Sequence, residues 1–384
     1  MLKQKKVYLD YNASTPVDKR VLSAMLPYFT DVFGNPNSDH CFGWDAHEAV
    51  EMSRQKVAQL TNAKPKELIF TSGATEAAQF AIFGHCKANE LKGKHIVTCK
   101  TEHKAILNPI QILEQQGFEV TYLNVNSDGH INLEELDVAI TNKTSLVCLM
   151  LANNETGLIH PIENIAKIVH KKGAKLLCDI TQALGKIPVD LKLLNVDYAV
   201  CSAHKLYGPK GVGALYINKS NGVTFNSISS ENGQEQVMRP GTLNVPGIVG
   251  FGTAAKIALD EMAEESIRIA LLRQKLESSL QEIEGAHINS KNAARLPNTT
   301  NISFANSDGN HLLRRLSMLA ISRGSACTSN LILPSHVLKA MGLSDELALS
   351  SFRFSIGRYT LLADIEFASE ELKLAVDSLQ NSMV

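Results

Sequence analysis

The chain has 384 residues, 44% hydrophobic and 20% charged, with 38 Lys+Arg against 39 Asp+Glu. That balance describes a folded protein of two or three domains, without the basic excess of a nucleic-acid binder. No apolar run reaches the ~20 residues that span a bilayer, so a membrane partner is not expected. Seven cysteines (Cys41, Cys86, Cys99, Cys148, Cys178, Cys201 and Cys327) form no C-x-x-C pair. An odd, unclustered set argues against a disulfide framework and a metal site, and points to a reducing cytoplasm.

In chain order, short apolar runs alternate with stretches of helical period. The strand candidates are Glu67–Thr71, His95–Cys99, Glu119–Leu123, Ser145–Leu151, Lys175–Asp179, Tyr198–Ser202 and Gly213–Ile217. Helix candidates between them are Glu76–Asn89, Ala105–Gln116, Leu133–Ile140 and Ile162–Lys171, with Gly117 and Gly173 at C-cap positions. The alternation predicts an α/β fold with a mostly parallel sheet of seven strands covered on both faces. Beyond Gly250 a long helix, Thr253–Ile283, leads into strands at Thr300–Phe304 and Ser351–Ile356. Helices follow at Gly309–Leu319, Ser335–Ala340 and Asp364–Leu379, which reads as a smaller α+β unit. The expected division is a large domain over 15–254 and a small one built from 1–14 with 255–384.

Ligands of open α/β sheets bind beyond the carboxyl ends of the strands. Polar residues collect at those ends: Ser72-Gly73-Ala74-Thr75, His103, Asn154, Asp179, Gln182, and Ser202 with His204 and Lys205. The Ser72–Thr75 turn reads as a phosphate cradle or as a simple helix cap. Lys205 reads as an amine that condenses with a carbonyl cofactor, or as a solvated loop lysine. Asp179 reads as the partner of a pyridinium nitrogen or as an N-cap, and His103 as a ring-stacking proton carrier or a helix-start residue. Cys327 lies in a small polar segment, Ser322–Asn330, unlike the apolar settings of Cys148 and Cys178. It reads as a reactive loop thiol or an incidental one, with Arg323 near enough in sequence to favour a thiolate.

Taken together, these residues resemble the cysteine desulfurases of group I (NifS/IscS type), within the class V aminotransferase-like enzymes. The resemblance rests on YLDYNASTP (Tyr8–Pro16), FGNP (Phe33–Pro36), FTSGATE (Phe70–Glu76), KTEHKA (Lys100–Ala105) and NNETG (Asn153–Gly157). It continues through DITQ (Asp179–Gln182), SAHKLYGPKGVGALY (Ser202–Tyr216), MRPGT (Met238–Thr242), RGSACTS (Arg323–Ser329) and RFSIGR (Arg353–Arg358). It implies the fold type I, aspartate aminotransferase-like architecture and the cofactor pyridoxal 5'-phosphate. Lys205 would carry the cofactor covalently and shuttle protons. His103 would stack on its ring, Asp179 pair with its nitrogen and Gln182 bond its phenolic oxygen. Thr75, Ser202, His204 and the Ala74 backbone would hold its phosphate, and Thr242 that of the neighbouring subunit in a homodimer. Asn154 would sit beside cofactor and substrate, and Arg353 clamp the substrate carboxylate. Cys327 would take sulfur from L-cysteine and pass it to an acceptor protein, a cluster scaffold or a thiolation protein. Rival expectations are a selenocysteine lyase, an ordinary aminotransferase of similar fold, against which Cys327 argues, and a catalytically silent partner on the same scaffold. The sequence departs from the family where Glu231-Asn232-Gly233-Gln234-Glu235 replaces a glycine-rich run, and where Ala77-Ala78-Gln79 is less polar than usual.

Overall fold

The computed structural model describes residues 6–225, 239–305, 307–323 and 333–380. Twelve strands occur among them: β1 (Val7–Tyr8), β2 (Leu68–Thr71), β3 (His95–Cys99), β4 (Glu119–Leu123), β5 (Thr144–Cys148), β6 (Lys175–Asp179), β7 (Tyr198–Ser202), β8 (Gly213–Ile217), β9 (Ala286–Asn289), β10 (Thr299–Phe304), β11 (Leu319–Ala320) and β12 (Ser351–Ser355). Seven of them form one sheet in the order β2-β8-β7-β6-β5-β3-β4. Strand β8 is antiparallel to β2 and β7, and the remaining pairings are parallel.

Alternate residues of each central strand point to opposite faces. Val97, Val147, Leu176, Cys178, Ala199 and Cys201 enter one hydrophobic cluster. Their neighbours Ile96, Leu146, Cys148, Leu177, Tyr198 and Val200 enter a second cluster on the other face. Helices cover both faces, which is why these strands read as unbroken apolar runs. Ala77, Ala78 and Ala81 are fully buried in the second cluster. The helix Ala74–Ala88 thus packs closely on the sheet through the less polar run seen in the sequence.

A third cluster gathers β1, β10 and β12 residues with the helix Leu362–Gln380. The helix Val245–Leu280 serves both regions, giving Val245 to Ala258 to the first cluster and Ile269 to Leu280 to the third. It starts eight residues before the expected Thr253. Asn244 caps it, accepting from Gly247 N–H at 3.0 Å. Its glycines mask the helical pattern, but they allow close packing: a Cβ at Gly252 would lie 2.6 Å from Ser53 Cα.

Two further expectations need correction. The apolar run 145–151 stops being a regular strand at Cys148, because β3 ends beside it. Leu149 and Leu151 still donate to Leu177 and Asp179 carbonyls on the β6 side. The helix expected to reach Leu319 ends at Arg315, since Leu319–Ala320 pairs with Val7–Tyr8 as a short parallel ladder.

Candidate active site

The carboxyl ends of β2, β3, β5, β6 and β7 border a cavity of about 310 Å³. Its walls include Ala74, Thr75, His103, Asn154, Asp179, Gln182, Ser202, His204, Lys205 and Arg353. The structure therefore brings together every candidate residue except two. Thr242 is exposed and does not line the cavity. Cys327 lies outside the described residues, as does the Glu231–Glu235 segment.

Each side chain is placed by its strand end. Ser202 closes β7 and accepts from the Ala74 N–H at 2.7 Å, joining two parts of the proposed cradle. Strand β8 must pass close to this turn: a Cβ at Gly213 would lie 2.6 Å from Gly73 Cα. Behind the turn Glu76 accepts from the Ser72 N–H and pairs with Arg239 at 3.1 Å. His103 caps the helix Lys104–Gln115, its Nδ1 accepting from Ala105 N–H at 3.1 Å. Asp179 ends β6, and its Oδ1 accepts from Thr181 N–H at 2.8 Å. For both residues the local capping or turn role and the cavity position coexist.

Lys205 donates from Nζ to the carbonyls of Asn12 (2.6 Å) and Ala13 (2.7 Å). Burial lowers its pKa to about 8; Arg353 adds to this, while Asp179 and Asp10 oppose it. Burial also lowers His103, with Asp179 opposing and Lys205 assisting. His204 is lowered to about 4 by burial and by Lys205, Lys210 and Lys186. Both imidazoles are therefore neutral at pH 7. Arg353 donates from Nη1 to the Asn154 carbonyl (3.0 Å) and from Nη2 to Asp10 Oδ1 (2.6 Å). Its buried Nε has no partner among the described residues. Beside the cavity Glu102 is buried, accepting from Met150 N–H at 2.7 Å, and burial raises its pKa.

Sequence reasoning assigned no role to Asp10, Asn12 or Lys186. Asp10 and Asn12 stand in the quoted YLDYNASTP motif, and only their cavity contacts distinguish them. Lys186 lies four residues after Gln182 and carries no signal of its own in the sequence.

This arrangement and this fold define a class. The aminotransferase class-V family model matches residues 7–367, and the chain belongs to that family. Its curated relatives include the cysteine desulfurase IscS of Anaeromyxobacter sp. (strain Fw109-5), 49% identical over 362 residues, covering 94% of this chain and 90% of the relative. The cysteine desulfurase IscS of Histophilus somni (strain 129Pt) is 47% identical over 378 residues, with coverage of 98% and 94%. Among solved structures, a NifS-like protein superposes with a TM-score of 0.91 at 39% identity, covering 97% of this chain and 100% of that one. A structure titled SspA in complex with cysteine gives 0.82 at 34% identity, with coverage of 92% and 100%.

Proposed function

We propose that this chain is a pyridoxal phosphate-dependent cysteine desulfurase that converts L-cysteine to L-alanine and places the sulfur on Cys327. The observation that carries the reading is the cavity itself. A desolvated lysine, a strand-end aspartate and an arginine whose Nε has no partner among the described residues converge there, in a chain about half identical to enzymes of that name.

The residues present fit the cofactor. Lys205 and Arg353 line the cavity, and their donors suit a ligand bearing a phosphate and a substrate bearing a carboxylate. The Ala74–Thr75 helix start, Ser202 and His204 would hold the phosphate. Asp179 would hold a proton on the pyridine nitrogen, and Gln182 would meet the phenolic oxygen. When bound, pyridoxal phosphate supplies an electron sink for the carbanion at Cα.

The chain's own groups do the rest. An amine with a pKa near 8 is partly neutral at physiological pH, so Lys205 can act as a nucleophile and then carry the Cα proton. His103, neutral, can accept a proton. Arg353 and Asn154 would orient the substrate. The Cys327 thiolate attacks the substrate sulfur, the carbon–sulfur bond breaks, and its electron pair stays with the carbon fragment, which is protonated to alanine. Cys327 is left as a persulfide, and the sulfur then goes to an acceptor protein.

The domain division proposed is 15–254 against 1–14 with 255–384; two separate hydrophobic clusters along Val245–Leu280 support it. A homodimer is supported by the exposed Leu22, Leu26, Phe29, Phe33, Phe42 and Trp44, and by the exposed Thr242. A reducing, cytoplasmic setting is supported by six described cysteines that are all free. No described helix is long and apolar enough to cross a membrane.

The test is incubation of the purified protein with ³⁵S-labelled L-cysteine. Equimolar alanine and labelled protein sulfur are expected, and Cys327→Ser should lose the protein label. No alanine from the wild type would refute the reading.

A further inference from the structure

Lys186 is a half-buried lysine beside the cavity without an ion-pair partner among the described residues. Its Nζ donates to two side-chain oxygens, Gln182 Oε1 at 2.6 Å and Asn12 Oδ1 at 3.2 Å. Burial, with Lys205 and Arg353 nearby, holds its pKa well below the usual range for lysine. Placing an amine there is costly, and neither contact is the carboxylate that would offset the cost.

The hydrogen bonds around it show what it does. Asn12 is locked: its Nδ2 donates to the Asn154 carbonyl (3.2 Å) and Thr299 Oγ1 (2.9 Å), while Asn298 Nδ2 donates to its Oδ1 (3.0 Å). The Asn12 oxygen therefore faces Lys186. Gln182 donates from Nε2 to the Asn12 backbone carbonyl at 3.0 Å and accepts from Lys186 at Oε1. Exchanging the two ends of this amide would set oxygen against the Asn12 carbonyl and NH₂ against the amine of Lys186. The Asn12 contact would turn repulsive, and Lys186 would lose the oxygen to which it donates. The NH₂ group has two protons, and the Asn12 carbonyl takes one. The other remains for the cavity that Gln182 lines.

Resting on the pyridoxal phosphate reading above, we propose that Lys186 is a positioning residue. Its amine holds the Gln182 carboxamide by its oxygen, so that an amide N–H is presented to the ring oxygen of the cofactor. Lys186 touches neither substrate nor cofactor in this arrangement and acts through Gln182.

A double-mutant cycle on cofactor binding tests this. Wild type, Lys186→Met, Gln182→Ala and the double variant are prepared as holoenzymes and stripped. Each is then titrated with pyridoxal phosphate, and the dissociation constant and visible absorption maximum of the bound cofactor are recorded. Lys186→Met should weaken binding about tenfold, as expected for the loss of one hydrogen bond, and shift the absorption maximum. In the Gln182→Ala background the same substitution should change neither quantity. Lys186→Arg, which keeps an N–H donor, should restore most of the wild-type spectrum, and it serves as the folded variant if Lys186→Met is unstable. An equal loss in both backgrounds would overturn the proposal, because Lys186 would then act independently of Gln182. So would an unchanged constant and spectrum in Lys186→Met. A wild type that takes up no pyridoxal phosphate would instead overturn the functional reading beneath it.

Discussion

The two rims of the seven-stranded sheet treat buried polar groups in opposite ways. At the amino-end rim the buried titratable groups find partners, although the Ser145 hydroxyl there has none among the described residues. His85 meets the Tyr198 hydroxyl (3.0 Å) and the Ser145 carbonyl (3.1 Å). His95 meets Thr144 Oγ1 (2.7 Å) and Thr121 Oγ1 (2.9 Å). Asp197, with no exposed side-chain surface, accepts from His170 (2.7 Å) and Leu176 N–H (2.9 Å) and pairs with Lys175 at 3.3 Å. At the carboxyl-end rim valences stay open. Lys205 and Lys186 bond only to neutral oxygens, and Arg353 Nε and Glu102 Oε2 bond to nothing among the described residues. Closed networks stabilise a fold, whereas unmet donors are retained where a ligand completes them. The same strands thus carry a structural end and a chemical end.

Substitutions at the two rims should therefore separate activity from stability. The largest effect belongs to the open rim. Lys205→Ala should reduce alanine formation by roughly a thousandfold or more, the scale on which an enzyme loses a nucleophile that also carries protons. It should leave the thermal midpoint near the wild-type value or above it, since a desolvated amine is removed. A folded variant that kept substantial turnover would break the comparison.

At the closed rim the sign reverses. Asp197→Ala strands His170 and Lys175 beside a buried position and should cost about 3 kcal/mol of stability. The Michaelis constant for L-cysteine should stay unchanged in whatever fraction folds. Denaturant unfolding monitored with steady-state kinetics checks both halves.

The smallest effect is one of pH. Burial, opposed by the Ser145 carbonyl, lowers the pKa of His85 to about 4, against about 6.5 for the unfolded chain. The unfolded state binds the proton first. The stability tied to neutral His85 is complete above pH 6.5 and lost as pH falls towards 4, amounting to about 2 kcal/mol at pH 5. Thermal midpoints at pH 7.5 and pH 5 should show this difference, and His85→Gln should reduce it. Equal slopes for variant and wild type would assign the acid sensitivity elsewhere.

Much of this was legible in the residues. Six of the seven sheet strands lie within a residue of their expected ends, because runs such as YAVCS and KLLCD are buried on both faces and leave little choice of state. Likewise, polar residues that follow such runs must emerge on one rim when the strands are parallel, so His103, Asp179 and Lys205 could be grouped without coordinates. The long helix was harder, since its first turns are glycine-rich and depend on Ser53 for their packing. The Leu319–Ala320 ladder was hidden too, because its partner lies over 300 residues away in sequence.

Local pattern by itself determined the alternating elements, the shared rim and the candidate lysine, aspartate and histidine, since periodicity and strand ends are properties of neighbouring residues. Tertiary structure alone decided three further matters. It held Arg353 with Asp10, it made Asn12 the acceptor for Lys205 and Gln182, and it set the Lys186 amine against an amide. Such choices depend on desolvation and on which donor meets which acceptor across distant segments, and the order of residues along a chain encodes neither quantity locally.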